Sequence, residues 1–162
     1  MPIVRQLSVF MENKQNALSQ VTKVLATGKI NLVAFAVPDA RGEGILRLVP
    51  SDPNQAKSLF KARGIPFSET KVLALLLPDR PGAVYEVTHR LAKAGIEIAY
   101  AYGSTSPHEG STTIIFNVSD LMRAERLLEV ENPIGVSADG RARRAEPHPA
   151  HAAPPVVKMN RR

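Results

Sequence analysis

The chain of 162 residues carries 21 Lys and Arg against 15 Asp and Glu, a formal charge of +6, and contains no cysteine. That length suits one ordinary domain or two small ones, and the missing thiols exclude disulfides, thiolate nucleophiles and thiolate metal sites, which favours a reducing compartment. No apolar run approaches the roughly 18 residues of a membrane span, and "MPIVRQLSVF" lacks a basic segment followed by a long apolar stretch, so a soluble cytoplasmic protein is expected.

The first element is a strand in "VRQLSVF", where Leu7, Val9 and Met11 share one face. A helix follows, with Leu18, Val21 and Leu25 at the spacing of a buried stripe and Gly28 at its end, where a left-handed residue costs little. Two strands come next, "INLVAFAV" and "GILRLV". A second helix begins after Asp52-Pro53, an N-cap followed by proline at the first helical position. A short strand, "IPFSE", then runs without a linker into "KVLALLL".

From there the order repeats. Sliding the chain by 66 positions lays Ala17 on Ala83, Val21-Thr22 on Val87-Thr88, Leu25 on Leu91 and Ile30 on Ile96. Beyond a gain of two residues near "STSPHEG" the offset is 68, where Ser51-Asp52 meets Ser119-Asp120, Ala56 meets Ala124 and Leu59 meets Leu127. The second copy reads as the strand "KVLALLL", a helix with Val84, Val87 and Leu91 ending at Gly95, the strands "IEIAYAY" and "STTIIFNV", a helix capped by Asp120, and a closing strand "IGVS". Two copies are too few for a solenoid, so the chain is a duplicated small domain, residues 1–70 and 71–138. Each unit is β-α-β-β-α-β, giving an α+β fold of two ferredoxin-like units in tandem, with antiparallel sheets and helices on one face.

The stretch "VLALLL" is apolar on both faces. Val72, Ala74 and Leu76, turned away from the helices, need cover from the other unit or from a second chain, and a homodimer is expected on that ground. Residues 139–162 hold +4 of the net charge in a Pro-, Ala- and Arg-rich tail without amphipathic period, and are expected to be disordered.

One short segment, "PDRPGAVYEV", ends the second unit's first strand and opens its helix at once. Gly82 lets the backbone approach a ligand closely, and the free N–H groups of the first helical turn attract carboxylates or phosphates. Asp79 either supplies an acceptor for an ammonium group or simply caps the helix.

The pattern Asp79-Arg80-Pro81-Gly82-Ala83-Val84, followed by Gly95-Ile96 within a β-α-β-β-α-β unit, resembles the ACT domain, a small regulatory domain that binds amino acids. The first copy, "LSVFMENKQNAL…GKIN", is similar, and its opening resembles the regulatory subunits of acetohydroxyacid synthase. The resemblance spans roughly residues 4 to 138. It implies a ligand site where the first loop of one unit meets the second strand of its neighbour. Carried over by position, the loop residues are Asn13, Asn16, Ala17 and Leu18 in the first unit and Asp79, Gly82, Ala83 and Val84 in the second. The facing strand starts are Ile30, Asn31 and Leu32, and Ile96, Glu97 and Ile98. The first unit has Gln15-Asn16 where the pattern has Pro-Gly, so its loop is expected to be less preorganised. Glu97 stands where Asn is usual; a carboxylate there can hold an ammonium or a basic side chain, or be solvated.

Nothing in the chain supplies a nucleophile with its base, a paired carboxylate or a metal set. His89 lies within a helix, His108 has only Glu109 beside it, and His148 and His151 sit in the tail. Tyr100 and Tyr102 share a strand face, as packing residues or as the lining of a pocket. The expected protein is therefore a non-catalytic amino-acid sensor without cofactor or metal, acting alone or as the regulatory subunit of a separate biosynthetic enzyme. A nucleic-acid binder of the same topology is disfavoured, because "GILRLV" and "TTIIFNV" lack the aromatic signature of RNA-recognition strands, although the basic tail could add salt-dependent affinity.

Overall fold

A computed structural model describes residues 3–11, 16–38, 44–105 and 110–129. Its elements are β1 (Ile3–Met11), α1 (Ala17–Thr27), β2 (Leu32–Ala36), β3 (Gly44–Pro50), α2 (Pro53–Ala62), β4 (Phe67–Pro78), α3 (Ala83–Lys93), β5 (Ile98–Thr105), β6 (Ser111–Val118) and α4 (Leu121–Glu129). The strands form one six-stranded sheet in the order β2-β3-β1-β4-β6-β5, every neighbouring pair antiparallel.

The two ferredoxin-like sheets are joined because β4 belongs to both. Phe67 to Thr70 close the first unit against Val9 to Gln6, and Lys71 to Leu73 continue the same strand as the opening of the second unit, still paired to Arg5 to Ile3. The division expected between residues 70 and 71 thus falls inside a continuous strand. The strand expected in "IGVS" and the basic tail lie outside the described residues.

Alternation along the strands sorts the core into layers. Leu7, Val9 and Met11 of β1 with Leu46 and Leu48 of β3 pack against Val21, Val24 and Leu25 of α1 and Phe60 of α2. Leu73, Leu75 and Leu77 of β4 with Phe116 of β6 pack against Val87 and Leu91 of α3 and Leu128 of α4. Leu18 and Val84 are not part of these stripes: both are exposed, whereas Val21, Leu25, Val87 and Leu91 are buried as expected. The helix begins at Ala83, so the inward face runs Ala83, Val87, Leu91 at a spacing of four, and Val84 lies about 100° round from it.

Ala34, Val49, Val72, Ala74 and Ile115 form a third buried cluster on the face away from the helices. It exists because the sheet coils until its two ends meet. β2 and β5, the first and last strands of the order, come into contact without exchanging ladder hydrogen bonds among the described residues. The apolar face of "VLALLL" is thereby covered by the chain's own other unit, so its apolarity is accounted for without a second chain. Equivalent irregularities, between Leu32 and Ala34 in β2 and between Ile98 and Tyr100 in β5, increase the local twist where the closing strands begin.

Helix ends show what local sequence decides. Asp52 Oδ1 accepts from Gln55 N and Asp120 Oδ1 from Arg123 N, each at 2.9 Å, as the N-cap reading of both aspartates expects. At the end of α1 the structure differs from the sequence reading. Gly28 has φ −80°, and the left-handed residue is Lys29 at φ 55°, the counterpart of Gly95 at φ 67°. Gly28 instead leaves room for Leu59, whose Cδ1 would have to move aside for a Cβ at this position. Lys29→Gly is therefore expected to stabilise the fold by about 1 kcal/mol, raising the melting temperature by a few degrees in a thermal scan.

Candidate functional site

The first helix of each unit begins without a side-chain cap. Gly82, at φ 90° and ψ −15°, is the N-cap of α3, and Asn16, at φ 74° and ψ 7°, is the N-cap of α1. Asparagine is the residue after glycine that best tolerates this left-handed conformation. At the cap itself Asn16 thus takes the backbone conformation that Gly82 has in the second unit, while Gln15 and the rest of that loop lie outside the described residues. Asn13 lies outside the described residues. Asp79 does not cap α3, because the helix starts four residues further on. Its N–H donates to Gly110 O at 2.8 Å, while Arg80 N donates to Pro78 O at 2.9 Å and Arg80 Nη2 to Glu86 Oε2 at 2.8 Å. Thus both second helices carry an aspartate cap, and both first helices present their opening N–H groups with no side chain accepting from them among the described residues.

Strand directions decide what faces those helix starts. Because every pair is antiparallel, β1 ends at the same end of the sheet at which β5 begins, and β4 ends where β2 begins. The loop before α1 and the strand start Glu97-Ile98 thus share one end, and the loop before α3 and Asn31-Leu32 share the other. With β2 and β5 in contact, each loop stands at the same end of the closing seam as the neighbouring unit's second strand.

The strand starts also line shallow, solvent-open grooves against the helix of their own unit. Ile96, Glu97 and Ile98 face Thr88, His89 and Ala92, and Ile30, Asn31 and Leu32 face Thr22 and Ala26. The loop residues Asn16, Ala17, Leu18, Asp79, Gly82, Ala83 and Val84 line neither groove. Ala83 is buried and Ala17 packs against the core, so what they offer a ligand is backbone; Leu18 and Val84 offer exposed side chains. His89 is exposed and stacks on Tyr85 with ring centroids 5.2 Å apart. His108, His148 and His151 lie outside the described residues.

On the inner face of the coiled sheet, sequence reasoning missed a polar cluster. Gln6 is fully buried, yet its strand alternation reads as a solvent-facing position. Its Nε2 donates to Tyr100 Oη at 2.7 Å and to Ser8 Oγ at 3.3 Å, and its Oε1 accepts from Tyr102 Oη at 2.9 Å. The two tyrosine rings stack at 6.5 Å, and the Arg47 guanidinium lies 4.2 Å from the centre of the Tyr100 ring. Burial holds the Tyr102 hydroxyl well above its ordinary pKa, Tyr100 adds to that and Arg47 opposes it, so Tyr102 keeps the proton it donates to Gln6. These bonds join the first strand of one unit to the second strand of the other.

A family model described as an ACT domain pair matches residues 2–138. Among solved structures, a protein from Bacteroides thetaiotaomicron is 31% identical with a TM-score of 0.74, over 80% of this chain and 88% of that one. The regulatory subunit of aspartate kinase from Thermus thermophilus, in a ligand-free form, is 12% identical with a TM-score of 0.57, over 79% of this chain and 93% of that one. The corresponding subunit from Thermus flavus is 14% identical with a TM-score of 0.55, over 79% and 90%. At such identities the likeness to the kinase subunits is one of fold. No curated protein sequence matches the chain. Among the described residues, no helix is long and apolar enough to cross a membrane.

Proposed function

The chain belongs to the ACT domain pair family, and we propose that it is a non-catalytic regulatory protein that binds an amino acid where the first loop of each unit meets the second strand of the other. The observation that carries this reading is the placement of each uncapped helix start at the same end of the seam as the neighbouring unit's strand start, β2 and β5 being in contact there. An α-amino acid needs N–H donors for its carboxylate and an acceptor for its ammonium. The opening turns of α1 and α3 supply the first. Asn31 and Glu97, with Asp79, supply candidates for the second. A ligand held by both units biases their packing by as much as its affinity for the two packings differs, which is how occupancy becomes a signal. A regulated enzyme would then read the seam, as a biosynthetic enzyme partner requires.

A thermal-shift screen of the full chain against each common amino acid tests this. A ligand at about 100 times its Kd is expected to stabilise the fold by about 2.7 kcal/mol. In Val84→Asp, an added carboxylate suits the helix start but competes with the ligand for it. The same amino acid is expected to give a clearly smaller shift in this variant, whose unliganded stability is close to that of the parent. No shift with any amino acid, or a shift indifferent to Val84→Asp, would overturn the proposal.

A further inference from the structure

The duplication exposes an asymmetry inside the coiled sheet. At the repeat offsets, Gln6 corresponds to Val72, Ser8 to Ala74, Arg47 to Ile115, Tyr100 to Ala34 and Tyr102 to Ala36. One half of the inner face is thus the apolar cluster of Val72, Ala74, Ile115 and Ala34, and the other half, on the same backbone pattern, is polar. The apolar half packs at the seam through Ala34 with no side-chain hydrogen bonds of its own. Buried polar groups are costly unless satisfied, so their presence in only one half calls for a reason other than closure.

Counting hydrogens supplies one. A glutamine amide has two N–H donors, and Gln6 spends them on Tyr100 Oη and Ser8 Oγ. Each of those hydroxyls, having accepted from Gln6, still owns a proton to donate elsewhere. Ser8 and Arg47 stand directly opposite one another in the β1–β3 register, so their side chains share the inner face. Arg47 is half-buried, held over Tyr100, and makes no ion pair with an acidic side chain among the described residues. Two hydroxyls and a guanidinium, each on a half-buried residue, are therefore brought to one inner face, and among the described residues no side chain accepts from either hydroxyl. Gln6 orients this arrangement while itself being fully satisfied.

We infer that Arg47, Ser8 and Tyr100 form a binding site for a small carboxylate, distinct from the helix starts of the proposed amino-acid site. The guanidinium supplies charge and two parallel donors, and the hydroxyls complete the coordination of a planar oxyanion. Binding here presses on β5 through Tyr100, and β5 is a closing strand of the seam.

The chain holds three tyrosines and no tryptophan. Two of the three sit in this cluster, so the intrinsic emission of the full-length protein reads the site directly. Malonate, which has carboxylates but no amino group, is the probe, with sulfate at matched ionic strength as control. The expected result is a saturable change in tyrosine emission with malonate that sulfate does not reproduce. It persists in Tyr85→Phe, weakens at least tenfold in Arg47→Met and weakens several-fold in Ser8→Ala, which keeps the measurement decisive should Arg47→Met fold poorly. No saturable response, an equal response to sulfate, or a response unchanged in the variants would overturn the inference. Because malonate lacks the ammonium group, either result leaves the amino-acid screen and its Val84→Asp arm to stand or fall separately.

Discussion

Val72→Asp is expected to leave the chain unfolded at ordinary temperature, not folded and monomeric. Val72 has no solvent exposure and sits among Ala34, Ala74 and Ile115 on the inner face of the sheet. A carboxylate there has no cation within its cluster, so it must ionise in an apolar surround or hold its proton against a raised pKa. Either course costs several kcal/mol, on top of the roughly 1.5–3 kcal/mol lost with the valine side chain. A domain of this size has only about 5–15 kcal/mol in total. The same face, if it were an interface between chains, would behave differently. Val72→Asp would then dissociate an assembly and leave folded protomers. Circular dichroism with light scattering separates the outcomes: loss of the folded spectrum supports intramolecular closure, and a folded monomer derived from a larger parent overturns it. Phe35→Asp is the control, because Phe35 on the β2 edge is 53% exposed and a charge there is expected to change stability by no more than about 0.5 kcal/mol.

That contrast also marks how far the sequence could be read. The aspartate caps at positions 52 and 120 were legible because a cap is decided within four residues, and the strand faces because alternation is local. The repeat was legible because two copies stand in one chain. Coiling of the sheet was not, since whether β2 meets β5 depends on the twist summed over six strands, and no short pattern records it. The choice left open for the apolar face of β4, the other unit or another chain, was of this kind. Each helix stripe was right except at its first member, where the larger Leu18 and Val84 were read as inward although the small Ala17 and Ala83, about 100° round, take that place. Gly28 misled for a related reason: a glycine near a helix end suggests a left-handed cap, but here it admits Leu59, and Lys29 takes the turn. As for the candidate site, the repeat and the family resemblance located its loops and strand starts. The left-handed Asn16 and the shared ends of the seam required the topology. Gln6 was hidden altogether, because its partners lie 94 and 96 residues away. Comparing the two copies residue by residue, Gln6 against Val72 and Arg47 against Ile115, was the signal that could have raised it.

Gln6→Leu is expected to destabilise the protein by about 2–3 kcal/mol, roughly 10 °C in melting temperature, although leucine fits a buried strand position. The loss does not come from the glutamine's own bonds alone. Removing the amide strands the Tyr102 hydroxyl, which is half-buried and has Gln6 Oε1 as its acceptor among the described residues, and leaves Tyr100 Oη and Ser8 Oγ without their donor. Leaving a buried partner unsatisfied costs more than a net hydrogen bond contributes. Tyr102→Phe alone is expected to cost about 1–2 kcal/mol by the same reasoning, since it strands Gln6 Oε1. The double variant Gln6→Leu/Tyr102→Phe removes both ends of that bond together. Its cost is expected to fall short of the sum of the single costs by about 1 kcal/mol or more, as equilibrium denaturation of the four proteins would show. Strict additivity would mean that the Gln6–Tyr102 bond contributes nothing across the seam, and would remove the basis for Gln6 as the group that orients the cluster. A shortfall of that size, set beside an apolar half that packs at the same seam without such bonds of its own, separates what the polar half does for stability from what it does with Arg47.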